Sequence, residues 1–367
     1  MKVVISGYYG FDNIGDDAIL LSIIQSLKEY DSRLMITVLS NNPEQTKEIY
    51  QVHAVNRWSM KEVFQEIKTA DGLISGGGSL MQDVTGKKSI IYYTGVIRIA
   101  KFLKVPVFIY AQGMGPFNSS FSKWLVKNTL KKTAITVRDH ESKELLKSIG
   151  VENEIEIVPD PVLALKIIPH DSPWWKEQAF SGPVLTVSVR HWPSAVSYKE
   201  KIAAALDRIA AKGIRIVFVP MHGKYDAEAS AELAKLMKEK SVTAPYDASI
   251  EEKICIIMHS NLLFGMRLHA LIFAAISNTP FVALSYDPKV DSFAGIMEQK
   301  VAGHVSENNW TAESLYEQLS MQLSSLTIEK QKLYRIMGPL QKQAHETAAK
   351  ALKYMGSDSG YFVETQN

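Results

Sequence analysis

Short β-rich runs alternate with helical segments along most of this 367-residue chain. Strands buried on both faces of a parallel sheet read as continuous apolar runs, and the helices between them cover those faces. In the first half, such runs predict strands at residues 3–6, 35–39, 72–75, 107–110, 134–137 and 155–158. Helical periodicity lies between them, at residues 17–30, 60–70, 92–102, 121–131 and 141–149. This half is therefore predicted to be a Rossmann-like α/β domain.

The second half repeats the alternation with fewer predicted helices. Its predicted strands are residues 184–189, 215–219, 262–265 and 281–285, and its clearest helices are residues 198–212 and 227–238. A charged helical tail is expected from about residue 311 to residue 355, polar enough to pack across both domains. The chain is thus predicted to be α/β and GT-B-like, with two Rossmann-like domains facing each other across a cleft.

The length exceeds that of a comfortable single core, and a hydrophobic content of 46% is enough for two cores. Pro159, Pro161 and Pro169, followed by the polar run 170–173, interrupt the alternation. We therefore predict an N-terminal domain over residues 1–168, a linker over 169–182 and a C-terminal domain with the helical tail over 183–367.

Charge and composition exclude several classes of protein. A net charge of +2 argues against a dedicated nucleic-acid binder, and the single cysteine, Cys255, cannot form an internal disulfide. The nine histidines lack the spacing of a zinc site, so no metal is expected. Residues 1–7 do not resemble a signal peptide, and no apolar run reaches the ~20 residues that span a bilayer. We expect a cytoplasmic protein whose membrane contact, where there is any, is peripheral.

Residues 264–269 predict a short strand, a tight turn and a helix that starts with an arginine and a histidine. A helix start favours an anion, and the planar fork of Arg267 suits carboxylate or phosphate. His269 can transfer a proton near neutral pH. This segment indicates an enzyme for a small phosphorylated or carboxylated substrate. The alternative is a solvated arginine and a core histidine on an ordinary helix.

Two further predicted strands carry polar residues to the same edge of the second sheet. One is followed by Arg190, and the other by His222 and Lys224. Arg190 and Arg267 are expected to converge on one anion, because two facing arginines repel each other unless a dianion lies between them. In the alternative, each arginine pairs with a nearby carboxylate.

Glycine-rich loops follow the predicted strands of the first half. Asp16 and Asp17 end the first loop, where they either cap a helix or bind sugar hydroxyls and act as a base. Residues 75–80 and 111–116, the latter with Gln112, are predicted to be open loops whose glycines admit a ligand. A broad, polar and uncharged ligand such as a glycan fits best, although tight packing also requires glycine.

Four short motifs, in this order and spacing, resemble the polysaccharide pyruvyltransferases. They are Asn13-Ile14-Gly15-Asp16-Asp17-Ala18, Gly76-Gly77-Gly78, Gln112-Gly113 and Arg267-Leu268-His269, and the likeness covers nearly the whole chain, being closest to bacterial cell-wall ketal-pyruvyltransferases. The resemblance implies a GT-B fold and transfer of pyruvate from phosphoenolpyruvate to a sugar as a ketal. It implies no cofactor, with phosphoenolpyruvate as co-substrate.

The resemblance also implies residue roles, with phosphoenolpyruvate on the second domain and the acceptor on the first. Arg190, Arg267, Leu268 and His269 would bind phosphoenolpyruvate. His269 is our hypothesis for the acid and Asp16 for the base. The acceptor residues are predicted to be Asn13, Asp16, Asp17, Gly77, Gly78, Gln112, His222 and Lys224.

The acceptor implied by the resemblance is an N-acetylmannosamine unit of a lipid-linked secondary cell-wall glycan, whose 4,6-ketal anchors surface-layer proteins. Lysines and a tryptophan at residues 123–132 predict a helix that either rests on anionic lipid or is simply solvated.

Two alternatives stay open. A nucleotide-sugar glycosyltransferase of the same fold would need an acidic residue for the ribose, and none is evident beside Arg267 in the sequence. A non-catalytic glycan-binding protein would need no phosphoenolpyruvate.

Overall fold

The computed structural model describes residues 1–84, 86, 88–167 and 172–356. The chain divides into two compact units, of which the first is Met1–Lys166 with the described residues from Leu340 on, and the second is Ile167–Pro339. Residues 169–171 of the predicted linker lie outside the described residues, while the remainder of that linker includes a helix, Pro173–Gln178.

Parallel strands form the sheet of the first unit, in the order β3-β2-β1-β4-β6-β7-β8 with β5 paired to β6. These strands are β1 (Lys2–Ser6), β2 (Met35–Ser40), β3 (His53–Asn56), β4 (Gly72–Ser75), β5 (Gly78–Met81), β6 (Val107–Met114), β7 (Ala134–Val137) and β8 (Ile155–Ile157). The helices are α1 (Ile14–Tyr30), α2 (Pro43–Tyr50), α3 (Met60–Lys68), α4 (Lys88–Phe102), α5 (Ser120–Leu130) and α6 (His140–Ser148), with a 3-10 turn at Pro161–Ala164.

The second unit has a parallel sheet in the order β11-β10-β9-β12-β13-β14. Its strands are β9 (Val184–Ser188), β10 (Arg215–Phe218), β11 (Ser241–Thr243), β12 (Leu262–Gly265), β13 (Phe281–Ser285) and β14 (Lys300–His304). Its helices are α7 (Pro173–Gln178), α8 (Tyr198–Ala210), α9 (Gly223–Leu236), α10 (Ile250–Met258), α11 (Leu268–Ile276), α12 (Pro288–Ile296) and α13 (Ala312–Ser324), and α14 (Leu326–Tyr354) starts here and ends in the first unit.

The predicted α/β fold and every predicted strand are confirmed, because the central strands are buried on both faces and read as apolar runs. The expectation of few helices in the second half is wrong. The motif at residues 264–269 predicted α11, but α10 and α12 were missed, because helices of nine residues give short apolar patterns. The unpredicted strands β3, β11 and β14 lie at sheet edges, where short, partly exposed strands give weak patterns. The strand β5 was also not predicted, and it occupies part of the open loop that was expected at residues 75–80.

The predicted tail is two helices, and the end of α14 belongs to the first unit rather than to the second. His345 on α14 joins α1 through Tyr30 Oη, 3.0 Å away, and through Glu29 Oε2, 2.8 Å away. Leu352, close to the end of the same helix, is 3% exposed. The last turns of α14 therefore complete the core of the first unit.

We predict that Leu352→Ala destabilises the first unit by about 2–5 kcal/mol, because it removes a buried side chain and leaves a cavity. The exposed neighbour Lys353 provides the control, and Lys353→Ala is expected to change stability by less than about 0.5 kcal/mol. Differential scanning calorimetry of the whole chain measures both. Equal effects of the two substitutions would contradict the docking of this helix segment.

Candidate functional site

Arg190 and Arg267 leave neighbouring strands of the second sheet at equivalent positions. Ser188 at the end of β9 is in register with Gly265 at the end of β12, and each arginine follows its registered residue by two positions. The Met266 amide also donates to Ser188 O at 2.8 Å, which carries the pairing past the ends of the strands. Because adjacent strands lie about 4.8 Å apart, both arginines start from one edge of the sheet.

Arg267 is held by a carboxylate. Its Nε lies 2.9 Å from Asp226 Oδ2 and its Nη2 lies 2.5 Å from Asp226 Oδ1, a bidentate pair in which the Asp226 side chain is 1% exposed. The sequence left open whether Arg267 pairs with a nearby carboxylate, and the structure shows that it does. The pair fixes the plane of the guanidinium, and Nη1 is not used by it.

Asp226 also accepts hydrogen bonds from the backbone. Its Oδ2 receives the amides of Met221 and His222, at 3.2 and 3.0 Å. This carboxylate thus joins the end of β10, the first turn of α9 and Arg267. Sequence reasoning missed Asp226 and found no acidic residue beside Arg267, because the two are 41 residues apart. An acidic residue in the first turn of a predicted helix is the one signal that could have drawn attention to it.

His269 and Leu268 occupy the first turn of α11, and Arg267 is the N-cap residue of this helix. The Arg267 side chain cannot cap the helix, because a guanidinium group has no acceptor for the backbone amides, and it donates to Asp226 instead. The amides and the dipole of a helix start favour an anion. Leu268 is buried and the His269 side chain is partly buried. The predicted cation, histidine and helix start are thus adjacent here.

Arg190 lies over aromatic rings. Its Cζ is 4.7 Å from the ring centre of Tyr286 and 5.2 Å from that of Trp192, and these two rings contact each other at 4.6 Å. Within the described part of the chain, no carboxylate lies at ion-pair distance from Arg190. Aromatic faces stabilise a cation without neutralising it, so Arg190 keeps its full charge for an anion.

Each arginine contacts a residue that follows a flanking strand of the sheet. Arg190 contacts Tyr286, which directly follows β13, and Arg267 contacts Asp226 in the first turn of α9, the helix after β10. In the strand order β10-β9-β12-β13, the two arginines start from the two central strands. Both arginines and their partners therefore follow the carboxyl ends of four adjacent strands.

His222 and Lys224 lie at the start of α9. The His222 ring stacks on the Tyr225 ring at 5.7 Å, and Lys224 is exposed. His222 is the N-cap residue of α9 and its amide donates to Asp226. These two residues are in the same unit as Arg267, so the predicted acceptor residues are divided between the two units.

The other predicted acceptor residues gather at the start of α1 in the first unit. Asn13 is the N-cap residue and its side chain accepts the Gly15 amide, while its Nδ2 donates to Asp16 Oδ2 at 2.6 Å. Asp17 lies in the same first turn. A Cβ atom at Gly78 would lie 2.7 Å from Asp16 Oδ1, so the glycine allows the carboxylate to approach the loop.

The expectation that the glycine loops leave room for a ligand is wrong at Gly76 and Gly77. The Tyr9 ring fills the space, because a Cβ at Gly76 would lie 2.2 Å from its Oη. Ile19 does the same at Gly77, where a Cβ would lie 2.9 Å from its Cγ2. Tyr9 is 1% exposed. These glycines serve close packing, the alternative that the sequence left open.

The prediction that Gln112 lies in an open loop is wrong. Strand β6 continues to Met114, so Gln112 is in the strand and is 0% exposed. Its Nε2 donates to Ser75 O, Ser75 Oγ and Gly76 O at 2.7–3.0 Å. Gln112 therefore fixes the glycine loop from beneath, because backbone carbonyls that are buried need donors.

A buried arginine, Arg57, was missed by sequence reasoning. It is 3% exposed, and its Nη1 donates to Gly7 O at 2.9 Å. Four aromatic rings surround its Cζ at 4.2–5.3 Å, namely those of Phe11, Trp58, Tyr92 and Tyr93. Burial raises the pKa of Tyr93 to about 12, so its hydroxyl stays protonated. Single aromatic residues scattered over 80 positions give no sequence signal.

Two searches cover the described residues only. They contain no group of three or more His, Cys, Asp or Glu side chains arranged to hold a metal ion. They also contain no helix with the length and apolar character needed to cross a membrane. Metal independence stays a prediction.

The fold is shared with sugar-nucleotide proteins of the GT-B class. A putative UDP-N-acetylglucosamine 2-epimerase from Listeria monocytogenes superposes with a TM-score of 0.67, at 13% identity, over 96% of this chain and 94% of that chain. Anabaena HepE in complex with UDP-glucose gives a TM-score of 0.60, at 13% identity, over 97% of this chain and 98% of that chain. At this identity the likeness shows the fold alone.

Within that fold, residues 13–288 match the family of polysaccharide pyruvyl transferases, and the chain belongs to this family. It is also similar to the amylovoran biosynthesis protein AmsJ of Erwinia amylovora, at 20% identity over 364 residues, covering 82% of this chain and 86% of AmsJ. The chain is therefore an enzyme that transfers pyruvate to a polysaccharide. The arginine and histidine motif at α11 lies inside the matched range.

We predict that Arg267→Ala destabilises the second unit by about 3 kcal/mol, because it leaves the buried Asp226 carboxylate without its cation. Adding Asp226→Asn is expected to recover part of this loss, since the buried group is then neutral. Chemical denaturation of both variants measures the difference. A double variant that is less stable than Arg267→Ala would show that Asp226 is not compensated by Arg267.

Proposed function

We propose that the pyruvate donor is phosphoenolpyruvate, that the site at the start of α11 binds it, and that phosphate is released as a sugar ketal forms. The observation that carries this proposal is that Arg190 and Arg267 follow registered ends of neighbouring strands, with Arg267 at the start of α11. Phosphoenolpyruvate has a carboxylate and a phosphate, which match two guanidinium groups and one helix start.

The proposed chemistry has two steps. In the first, His269 as imidazolium protonates the methylene carbon of phosphoenolpyruvate, and a sugar hydroxyl adds to C2 while Asp16 takes its proton. In the second, the bond between C2 and the phosphate oxygen breaks, and a second hydroxyl of the same sugar forms the cyclic ketal. In the net reaction, one of the two hydroxyl protons replaces the proton that His269 gives to the methylene carbon, and the other leaves with phosphate. Arg190 and Arg267 stabilise the charge that develops on phosphate.

For the acceptor, we propose an N-acetylmannosamine unit of a lipid-linked cell-wall glycan, giving the 4,6-ketal. Membership of the family supports a polysaccharide acceptor. The particular sugar and the lipid linkage rest on the resemblance of the motifs around Asp16, Gly78 and Arg267 to cell-wall ketal-pyruvyltransferases.

The experiment that tests this function is phosphate release from phosphoenolpyruvate, with and without a synthetic disaccharide that contains N-acetylmannosamine. Mass spectrometry of the glycan accompanies it. Release that depends on the acceptor, with the mass gain of a pyruvate ketal, is the expected result. Thermal shifts with phosphoenolpyruvate and with nucleotide sugars add a binding comparison. A shift with nucleotide sugars alone would contradict the proposed donor.

We predict that His269→Ala lowers kcat by about 10²–10⁴-fold, because the general acid is lost. Binding of phosphoenolpyruvate, measured by titration, is expected to be largely kept, since Arg190 and Arg267 are unchanged. His140→Ala is the control, because His140 is an exposed histidine of the first unit. Near wild-type turnover of His269→Ala would exclude the acid role.

We further propose that α5 contacts anionic lipid near a lipid-linked acceptor. Lys123 on α5 is exposed, and so are Lys131 and Lys132, which follow the end of the helix. Each lysine near an anionic surface contributes about 1 kcal/mol, so replacing all three by glutamate should abolish co-sedimentation with phosphatidylglycerol vesicles at low salt.

The control for the vesicle experiment carries the same change of charge on another surface. Lys235, Lys238 and Lys240 are exposed in the second unit, and their replacement by glutamate should leave vesicle binding near that of the wild type. Equal loss in both triple variants would mean that net charge, and not α5, governs binding.

A further inference from the structure

A pocket of about 630 Å³ opens in the first unit beside the buried Arg57. This volume is in the usual range of ligand sites, about 300–1,000 Å³. We call it the aromatic pocket, and its principal lining residues are Tyr8, Phe11, Arg57, Trp58, Tyr92 and Tyr93. None of these residues was assigned a role by the sequence motifs, and none belongs to the anion site on the second unit.

Two walls define the aromatic pocket. On one wall, the rings of Tyr8 and Phe11 stack in parallel, with centres 4.1 Å apart and planes 5° apart. On the other, the rings of Trp58 and Tyr92 are 5.3 Å apart and inclined at 56°. Trp58 is 59% exposed, although its Nε1 is fixed by Asn41 Oδ1 at 3.0 Å. Large aromatic faces are thus held in place while they remain open to solvent.

Arg57 links the walls. Its guanidinium faces Phe11 on one side of the pocket and Trp58 and Tyr92 on the other. The Tyr92 hydroxyl donates to Arg57 O at 3.1 Å, which ties the ring back to the same residue. Arg57 Nε is buried without a hydrogen-bond partner among the described residues. Holding a cation and several rings in this geometry fixes the shape of the pocket in advance of binding.

The aromatic pocket shares a loop with the helix that carries Asp16. Tyr8 and Phe11 belong to the loop between β1 and α1, and Asp16 lies in the first turn of α1. Burial and the negative charge of Asp16 raise the pKa of the Tyr8 hydroxyl, and the charge of Arg57 opposes this rise. The pocket wall and the proposed base are therefore within electrostatic reach of each other.

We propose that the aromatic pocket binds a pyranose ring of the polysaccharide acceptor, with the C–H face of the sugar stacked on Trp58. This inference rests on the proposed function, because it assigns the acceptor side of that reaction. Sugar rings have an apolar face and a polar rim. The aromatic walls match the face, and Lys88 and the Tyr8 hydroxyl, which also line the pocket, provide hydrogen bonds for the rim.

A sugar fits better than a lipid chain. The lining is mostly aromatic, but a hydrocarbon chain would remove water from Lys88 and from the Tyr8 hydroxyl without making a hydrogen bond to either. A nucleotide base could stack on the same rings, so the experiment includes one. The exposed aromatic residues Trp58 and Tyr8 both line this pocket, so a bound sugar would cover both of them.

The test measures steady-state kinetics with the methyl glycoside of the N-acetylmannosamine-containing disaccharide, which is water-soluble and has no lipid. We expect Trp58→Ala to raise the KM for this acceptor about tenfold, and the KM for phosphoenolpyruvate to stay the same. Trp58→Phe keeps an aromatic face and should recover most of the affinity. Phe102→Ala is the control, because Phe102 is an exposed aromatic residue of α4, the helix that also carries Tyr92.

Several outcomes would overturn the proposal. An unchanged acceptor KM in Trp58→Ala would do so, as would an equal rise in Phe102→Ala. A rise seen only with the lipid-linked form of the disaccharide would assign the pocket to the lipid. Loss of UDP-N-acetylglucosamine binding in Trp58→Ala, with the acceptor KM unchanged, would assign it to a nucleotide.

A binding experiment separates this inference from the proposed function. Saturation-transfer NMR with the methyl disaccharide needs no phosphoenolpyruvate and no turnover. Loss of its signal in Trp58→Ala but not in Phe102→Ala supports the pocket even where no phosphate is released, in which case the donor assignment alone fails. Absence of disaccharide binding to the wild-type protein would overturn the pocket assignment. Phosphate release that depends on the acceptor would still support the proposed donor.

Discussion

The bidentate pair between Asp226 and Arg267 is the interaction on which the site of the second unit depends. A carboxylate that is 1% exposed is costly unless its oxygens receive hydrogen bonds, and Asp226 receives them from Arg267 and from two backbone amides. The same four contacts fix the end of β10, the start of α9 and the plane of the guanidinium. A side chain that is oriented in this way loses little entropy when an anion binds to its remaining donors.

In the first unit, side-chain packing and hydrogen bonds fix the loop at Gly76. Tyr9 fills the space above Gly76, and Gln112 donates to the carbonyls beneath the same loop. The loop is thus held from above and below by side chains of its own unit. Asp16 approaches the loop at Gly78, where a Cβ would collide with the carboxylate. The glycines therefore position an acidic group, and the ligand surface is formed by the aromatic residues that lie beside it.

The sequence could predict which strands are buried at the centre of each sheet, but it could not predict these side-chain arrangements. Apolar runs identify central strands, because a strand that is buried on both faces is apolar at almost every position. Short edge strands such as β3 are partly exposed and have no such run. Arg267 and His269 were found because their neighbours along the chain mark a helix start. Asp226, Arg57 and Trp58 act through partners brought together by the fold, so no local pattern reveals them. Glycine motifs were misinterpreted as open space, because a sequence shows where Cβ atoms are missing but not which side chains fill the gap.

The environments of Arg190 and Arg267 differ in a way that bears on donor binding. Two guanidinium groups that follow the ends of the neighbouring strands β9 and β12 repel each other, because like charges are unfavourable at short range. Asp226 neutralises one of them, while Tyr286 and Trp192 stabilise the other without cancelling its charge. The two arginines together thus carry about one uncompensated positive charge beside a helix start, which favours an anion and still allows the unit to fold. In the donor site that we propose, Arg190 would therefore supply most of the attraction for a multiply charged donor, and Arg267 would mainly supply its orientation.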